Sequence, residues 1–108
     1  MAARAFIDEI RLLAFGGISG AYASVGDPFD FPVRLICFTN DTEGSVMFTD
    51  DVTLDKIFVK SGSFKLFDLQ SNINPQFDDK YVLAKGTQFY VKQLAAPVSG
   101  AVYIEVLY

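Results

Sequence analysis

At 108 residues the chain is long enough for one domain and too short for two. Apolar residues make up 51% of it and aromatic residues 15%, which excludes a disordered chain. The net charge is −4 and the nine Lys and Arg are scattered singly, which excludes a surface that tracks nucleic acid.

Chemistry is scarce. Without histidine there is no Ser–His–Asp or Cys–His arrangement, and one cysteine without histidine cannot build a zinc site. No GxGxxG or P-loop pattern occurs, and no enzyme, cofactor or small-molecule substrate is expected. Cys37, inside RLICF, reads as a small buried hydrophobe, and a single thiol fits a reducing cytoplasm.

Residues Ala5 to Phe15 are the only segment with helical spacing, through Phe6, Ile10 and Leu13. The same residues also read as an extended arm ending in a strand, RLLAF. Asp8, Glu9 and Arg11 interrupt what would be the core of a signal peptide. No window approaches the ~18 apolar residues of a membrane span. GGISG ends the segment. Residues 1–20 are therefore expected to form an N-terminal arm, and residues 21–108 a single domain.

From Tyr22 onward the pattern is β. SVGDPFDFP is a loop, and VRLICFTN (Val33–Asn40) is a strand rich in branched and aromatic residues. NDTEGS is a turn, and VMFTD (Val46–Asp50) is expected to pair back as a hairpin. KIFVK and FKLFDL (Phe64–Leu69) flank a Ser-Gly-Ser hinge. KYVLAKG (Lys80–Gly86) reads as a short edge strand. TQFYVKQL (Thr87–Leu94) and AVYIEVLY (Ala101–Tyr108) read as clear strands. About seven or eight short strands joined by turns predict an all-β, antiparallel, jelly-roll-like sandwich.

Side chains alternate between the two faces of a strand. Each strand here has one apolar face for the core. The other face should be polar if it met only water. It keeps Phe58, Phe67, Tyr90, Tyr103 and Leu107. Together with Phe6, Ile10 and Leu13 of the arm, these are the candidate interface residues. They predict an apolar surface large enough to bind another protein.

Other polar residues read as structural. Asp41, Glu43, Asp50, Asp51 and Asp55 fit no EF-hand spacing and read as solvated turns. Arg34 reads as a side chain snorkelling at a sheet rim, or as half of an ion pair between subunits. Lys56, Lys60, Lys65, Lys85 and Lys92 fall at strand ends or outward positions, where they discourage edge-to-edge aggregation.

The order ISGAYASVGDPFDFPVRLICFTN, SVMFTDD, DKIFVKSGSFKLFDLQSN, LAKGTQFYVKQ, GAVYIEVLY resembles small virion proteins of tailed bacteriophages over Ile18 to Tyr108. The resemblance implies a compact β-sandwich present in many copies at the head–tail junction, in the tail, or as a capsid decoration. It implies a homo-oligomer or contacts with other virion proteins, assembled after synthesis in a host cytoplasm. No nucleic-acid or membrane partner is expected. The alternative from the residues is a carbohydrate-binding module using Tyr81, Tyr90 and Tyr103 beside Asp78 and Asp79.

Overall fold

The computed structural model describes residues 6–69 and 83–108. Eight strands run in chain order: β1 (Arg11–Ala14), β2 (Ala23–Ser24), β3 (Leu35–Thr42), β4 (Val46–Thr49), β5 (Ile57–Val59), β6 (Phe64–Asp68), β7 (Tyr90–Gln93) and β8 (Gly100–Leu107). They form two four-stranded antiparallel sheets packed together. The front sheet has the order β1-β8-β3-β6, and the back sheet β2-β7-β4-β5.

The antiparallel pairs β1·β8, β2·β7, β3·β6 and β4·β5 are nested one inside the next. The chain is thus one long hairpin wound across two sheets. This is jelly-roll order, as the strand count and alternation predict.

The one expected hairpin is a sheet crossing instead, and so is the Ser-Gly-Ser hinge. β4 pairs with β5 and β7 in the back sheet, and does not pair with β3. β5 and β6, on either side of Ser-Gly-Ser, lie in different sheets. A short turn joins neighbours within a sheet or corners between sheets equally well. Here the corners are fixed by hydrogen bonds. Asn40 is fully buried and its amide nitrogen donates to the carbonyls of Gly44 (2.8 Å) and Val59 (3.1 Å). Gly62, at φ 71°, turns the chain back and donates its N–H to the Asn40 carbonyl at 3.0 Å.

Residues 6–14 do not stand off as an arm, and their apparent helical spacing does not produce a helix. They lie along β8. Phe6 and Tyr108 exchange backbone hydrogen bonds, and the Asp8 N–H donates to the Val106 carbonyl. Arg11–Ala14 then pair with Ile104–Ala101. Three residues separate Asp8 from Arg11, against two from Val106 to Ile104, so the first strand carries a bulge. The edge of β8 offers a full row of backbone partners, which a free helix would leave unmet. The bulge also sets parity: Arg11 and Leu13 turn inward, and Leu12 turns out.

The core follows the alternation along the strands. Ile36 and Phe38 of β3 and Val102, Ile104 and Val106 of β8 face Val46 and Phe48 of β4, Val59 of β5 and Val91 of β7, all buried. Phe38 lies at its centre, its ring centroid 5.0 Å from both Phe48 and Phe89. Leu13 and Leu83 pack against this cluster. Of the expected edge strand Lys80–Gly86, residues 80–82 lie outside the described residues, and Leu83 bridges to Val33.

Candidate functional site

The strand register fixes what each outer face presents. On the front sheet, Tyr103 of β8 lies opposite Leu12 of β1 and Thr39 of β3, and Thr39 lies opposite Phe64 of β6. The next row outward is Glu105, Cys37 and Leu66, and the next Leu107, Leu35 and Asp68. Leu12 is 51% exposed, Phe64 66% and Leu66 55%. This face is broad and apolar. Among the described residues of its strands the outward-facing charges are the carboxylates Asp41, Glu105 and Asp68, and the two cations, Arg11 and Lys65, fall at inward register positions.

The back sheet is dressed differently. Tyr90 and Lys92 of β7, Met47 of β4 and Phe58 of β5 point outward. The Tyr22 hydroxyl donates to the Asp55 carboxylate at 2.6 Å, and Lys92 pairs with the same oxygen at 2.9 Å while lying 4.8 Å above the Tyr22 ring. Burial and the Asp55 carboxylate raise the Tyr22 phenol above its ordinary value. Lys92 and the Tyr22 hydroxyl lower the Asp55 carboxyl. Lys56, Phe58 and Lys60 share one outward parity along β5, with Phe58 43% exposed and the Lys65 ammonium 6.0 Å from its ring.

The predicted residues therefore divide. Tyr103 and Leu107 lie on the front outer face, half-buried, and Ile10 is exposed beside β1. Phe58 and Tyr90 lie on the back. Phe67 shares the inward register of buried Ile36 and its ring meets Phe38 edge-on at 5.9 Å, yet at the sheet edge it stays 37% exposed. Leu13 packs on the core, for the parity reason above. Phe6 stacks on Tyr108 (5.6 Å), which stacks on Phe31 (4.3 Å). Leu12, Phe64 and Leu66 were missed. The RLLA alternation would have exposed Leu12 once read as a strand, and the all-exposed β6 follows from its place at an edge.

Cys37 is half-buried on the front outer face, not in the core, with its sulfur 3.8 Å from the Thr39 hydroxyl. Tyr90 and Tyr103 belong to opposite sheets and form no common platform for a sugar. Tyr81, Asp78 and Asp79 lie outside the described residues. The acidic residues are tied into turns. Asp51 accepts from the Thr53 hydroxyl and N–H, Asp50 pairs with Lys56 at 2.7 Å, and no group of three or more metal-ligating side chains occurs among the described residues.

Glu43 carries the firmest of these ties. Its carboxylate accepts the N–H groups of Val98 and Ser99 and the Ser99 hydroxyl, which lowers its pKa to about 2. A depressed carboxyl contributes stability that is present above its unfolded value near ~4.3 and lost as pH falls through its folded value. Glu43→Gln should therefore lower stability at neutral pH, and the gap to the wild type should close between about pH 4 and 2. Urea unfolding across that range checks it, and a pH-independent gap would exclude the clamp.

The four sheet edges are all guarded. β2 and β5 have two and three residues, too short to template a partner strand. The other two edges each carry a cation: Arg11 of β1, turned inward, and Lys65 of β6, at an inward register position but exposed. Arg11 is 9% exposed, pairs with Asp8 at 3.1 Å and lies 4.7 Å from the Phe29 ring centroid. Lys65 lies opposite Phe38 in register and reaches round the edge to within 6.0 Å of the Phe58 ring. Cations on edge strands oppose edge-to-edge pairing. No protein family, curated protein or solved structure matches the chain.

Proposed function

We propose that this protein is a non-enzymatic structural part that works by assembling in many copies, as a component of a tailed-phage virion at the head–tail junction, in the tail or on the capsid surface. One observation carries the assembly reading. The edges are protected against pairing, while the front outer face is left apolar and open at Leu12, Phe64 and Leu66. A domain that met only water would gain solubility from polar residues there at no cost to its core. The virion context rests on the resemblance in strand order and character. Jelly rolls also occur in viral capsid domains, which agrees by analogy of fold alone.

Sedimentation velocity of the purified chain over a wide concentration range tests this. The expected result is a defined or concentration-dependent oligomer, dispersed by Leu66→Lys with the far-UV spectrum unchanged. A wild-type monomer at every concentration would overturn self-assembly as the function.

A further inference from the structure

The front outer face carries carboxylates, and the β5 edge of the back face carries the cations Lys60 and Lys65. The outward positions of the front strands hold the carboxylates Asp41 and Glu105 and, among the described residues, no cation. Beside β5 in the back sheet Lys56 is already paired with Asp50 at 2.7 Å, while Lys60 stands exposed and Lys65 reaches the same exposed Phe58. Each face also offers an apolar centre, Phe64 and Leu66 in front and Phe58 with Met47 behind.

Resting on the assembly reading above, we propose that a second copy docks front to back: the front outer face of one copy, around Leu66 and Glu105, seats against the β5 face of the next, around Phe58 and Lys60. Two fronts facing each other would oppose Glu105 and Asp41 with the same carboxylates, which disfavours a twofold contact. Front-to-back contact instead sets carboxylates beside ammonium groups and rings against rings. Such a contact uses two different patches on each copy, so it propagates into a ring or a stack.

Size sets its strength. The front strands have four, eight, eight and five residues, which at ~4.8 Å between strands and ~3.4 Å per residue gives the face roughly 400 Å2. Stable interfaces cover about 800 Å2 on each partner. One such contact is therefore weak and reversible, and persists where ring closure or a neighbouring protein adds a second.

Charge exchange tests the geometry, because Glu105 and Lys60 are both exposed and their replacement leaves the core untouched. Sedimentation velocity at low salt is run on Glu105→Lys, on Lys60→Glu and on their equimolar mixture, beside the wild type. Each variant alone should associate about three- to tenfold more weakly than the wild type. The mixture should recover, since each altered face then meets its complement on the other variant. Loss with Glu105→Lys but not with Lys60→Glu, or no recovery on mixing, overturns front-to-back docking. A wild type that associates while both variants match it also overturns this contact, yet leaves self-assembly standing. A monomeric wild type overturns both.

Discussion

Replacing Asn40 by aspartate is expected to cost about 3–5 kcal/mol of stability at neutral pH, the range for stranding a charge in a protein interior. Asn40 is completely buried on β3, yet every polar valence of its side chain is used. The amide nitrogen donates to Gly44 and Val59 carbonyls, and the amide oxygen accepts the Thr42 N–H at 3.1 Å and lies 2.6 Å from the Thr42 hydroxyl. Val59 belongs to the back sheet and Gly44 to the corner between β3 and β4. The side chain therefore staples the crossing that takes the chain from one sheet to the other. Aspartate has the same shape but turns two donors into acceptors facing two carbonyl oxygens. The new carboxyl must stay protonated or carry a charge with no donor on that side, so the loss should shrink in mild acid. Asn40→Leu removes the same bonds without adding charge; the Gly44 carbonyl keeps the Thr42 hydroxyl at 2.9 Å, while the Val59 carbonyl and the Thr42 N–H lose their Asn40 partner. Urea unfolding of the three proteins measures the difference. A penalty for aspartate under ~1 kcal/mol would mean that the corner does not depend on this network.

How much of this was legible in the sequence depends on the kind of information. The strands β3, β7 and β8 were legible because branched and aromatic residues alternate in them, and alternation is a local property. Pairing was not. VMFTD was expected to fold back on VRLICFTN, because a turn such as NDTEGS looks alike whether it joins strands of one sheet or carries the chain to the other. What decides is Asn40 reaching Val59, 19 residues away, and no local pattern records that. Leu13 and Phe67 show the same limit at single residues. Leu13 shares a helical stripe with Phe6 and Ile10 only on paper. A one-residue bulge before Arg11 settles its real face, and that bulge depends on β8, about 90 residues downstream. Phe67 faces the core because Asp68 meets Leu35 and not Ile36, a matter of register between strands. The charge division between front and back was likewise invisible, since it appears only when positions from eight strands are sorted by sheet.

Gly100→Ala is expected to cost more than about 3 kcal/mol, because two separate penalties meet at one residue. Gly100 opens β8 opposite Thr42, with φ at +85°, a region that L side chains rarely occupy. A Cβ there would also overlap the Asp41 carbonyl oxygen, a backbone atom held in the β3–β8 ladder. Two other glycines separate these penalties. Gly62 has φ +71° and open space where its Cβ would stand, so Gly62→Ala should show the conformational cost alone, about 1–2 kcal/mol. Gly44 has no left-handed φ, but its Cβ would overlap the Ala95 carbonyl oxygen, so Gly44→Ala should show the steric cost alone. Gly44, Gly100 and the Glu43 clamp on Val98 and Ser99 surround one corner, where the β3–β4 crossing presses against the loop that feeds β8. That close approach brings the middle of the long hairpin against its returning arm. Thermal unfolding of the three alanine variants should rank Gly100 as the most costly and Gly62 as the least. If Gly100→Ala costs no more than Gly62→Ala, the loop before β8 yields to a methyl group, and the corner is held by its hydrogen bonds and not by close packing.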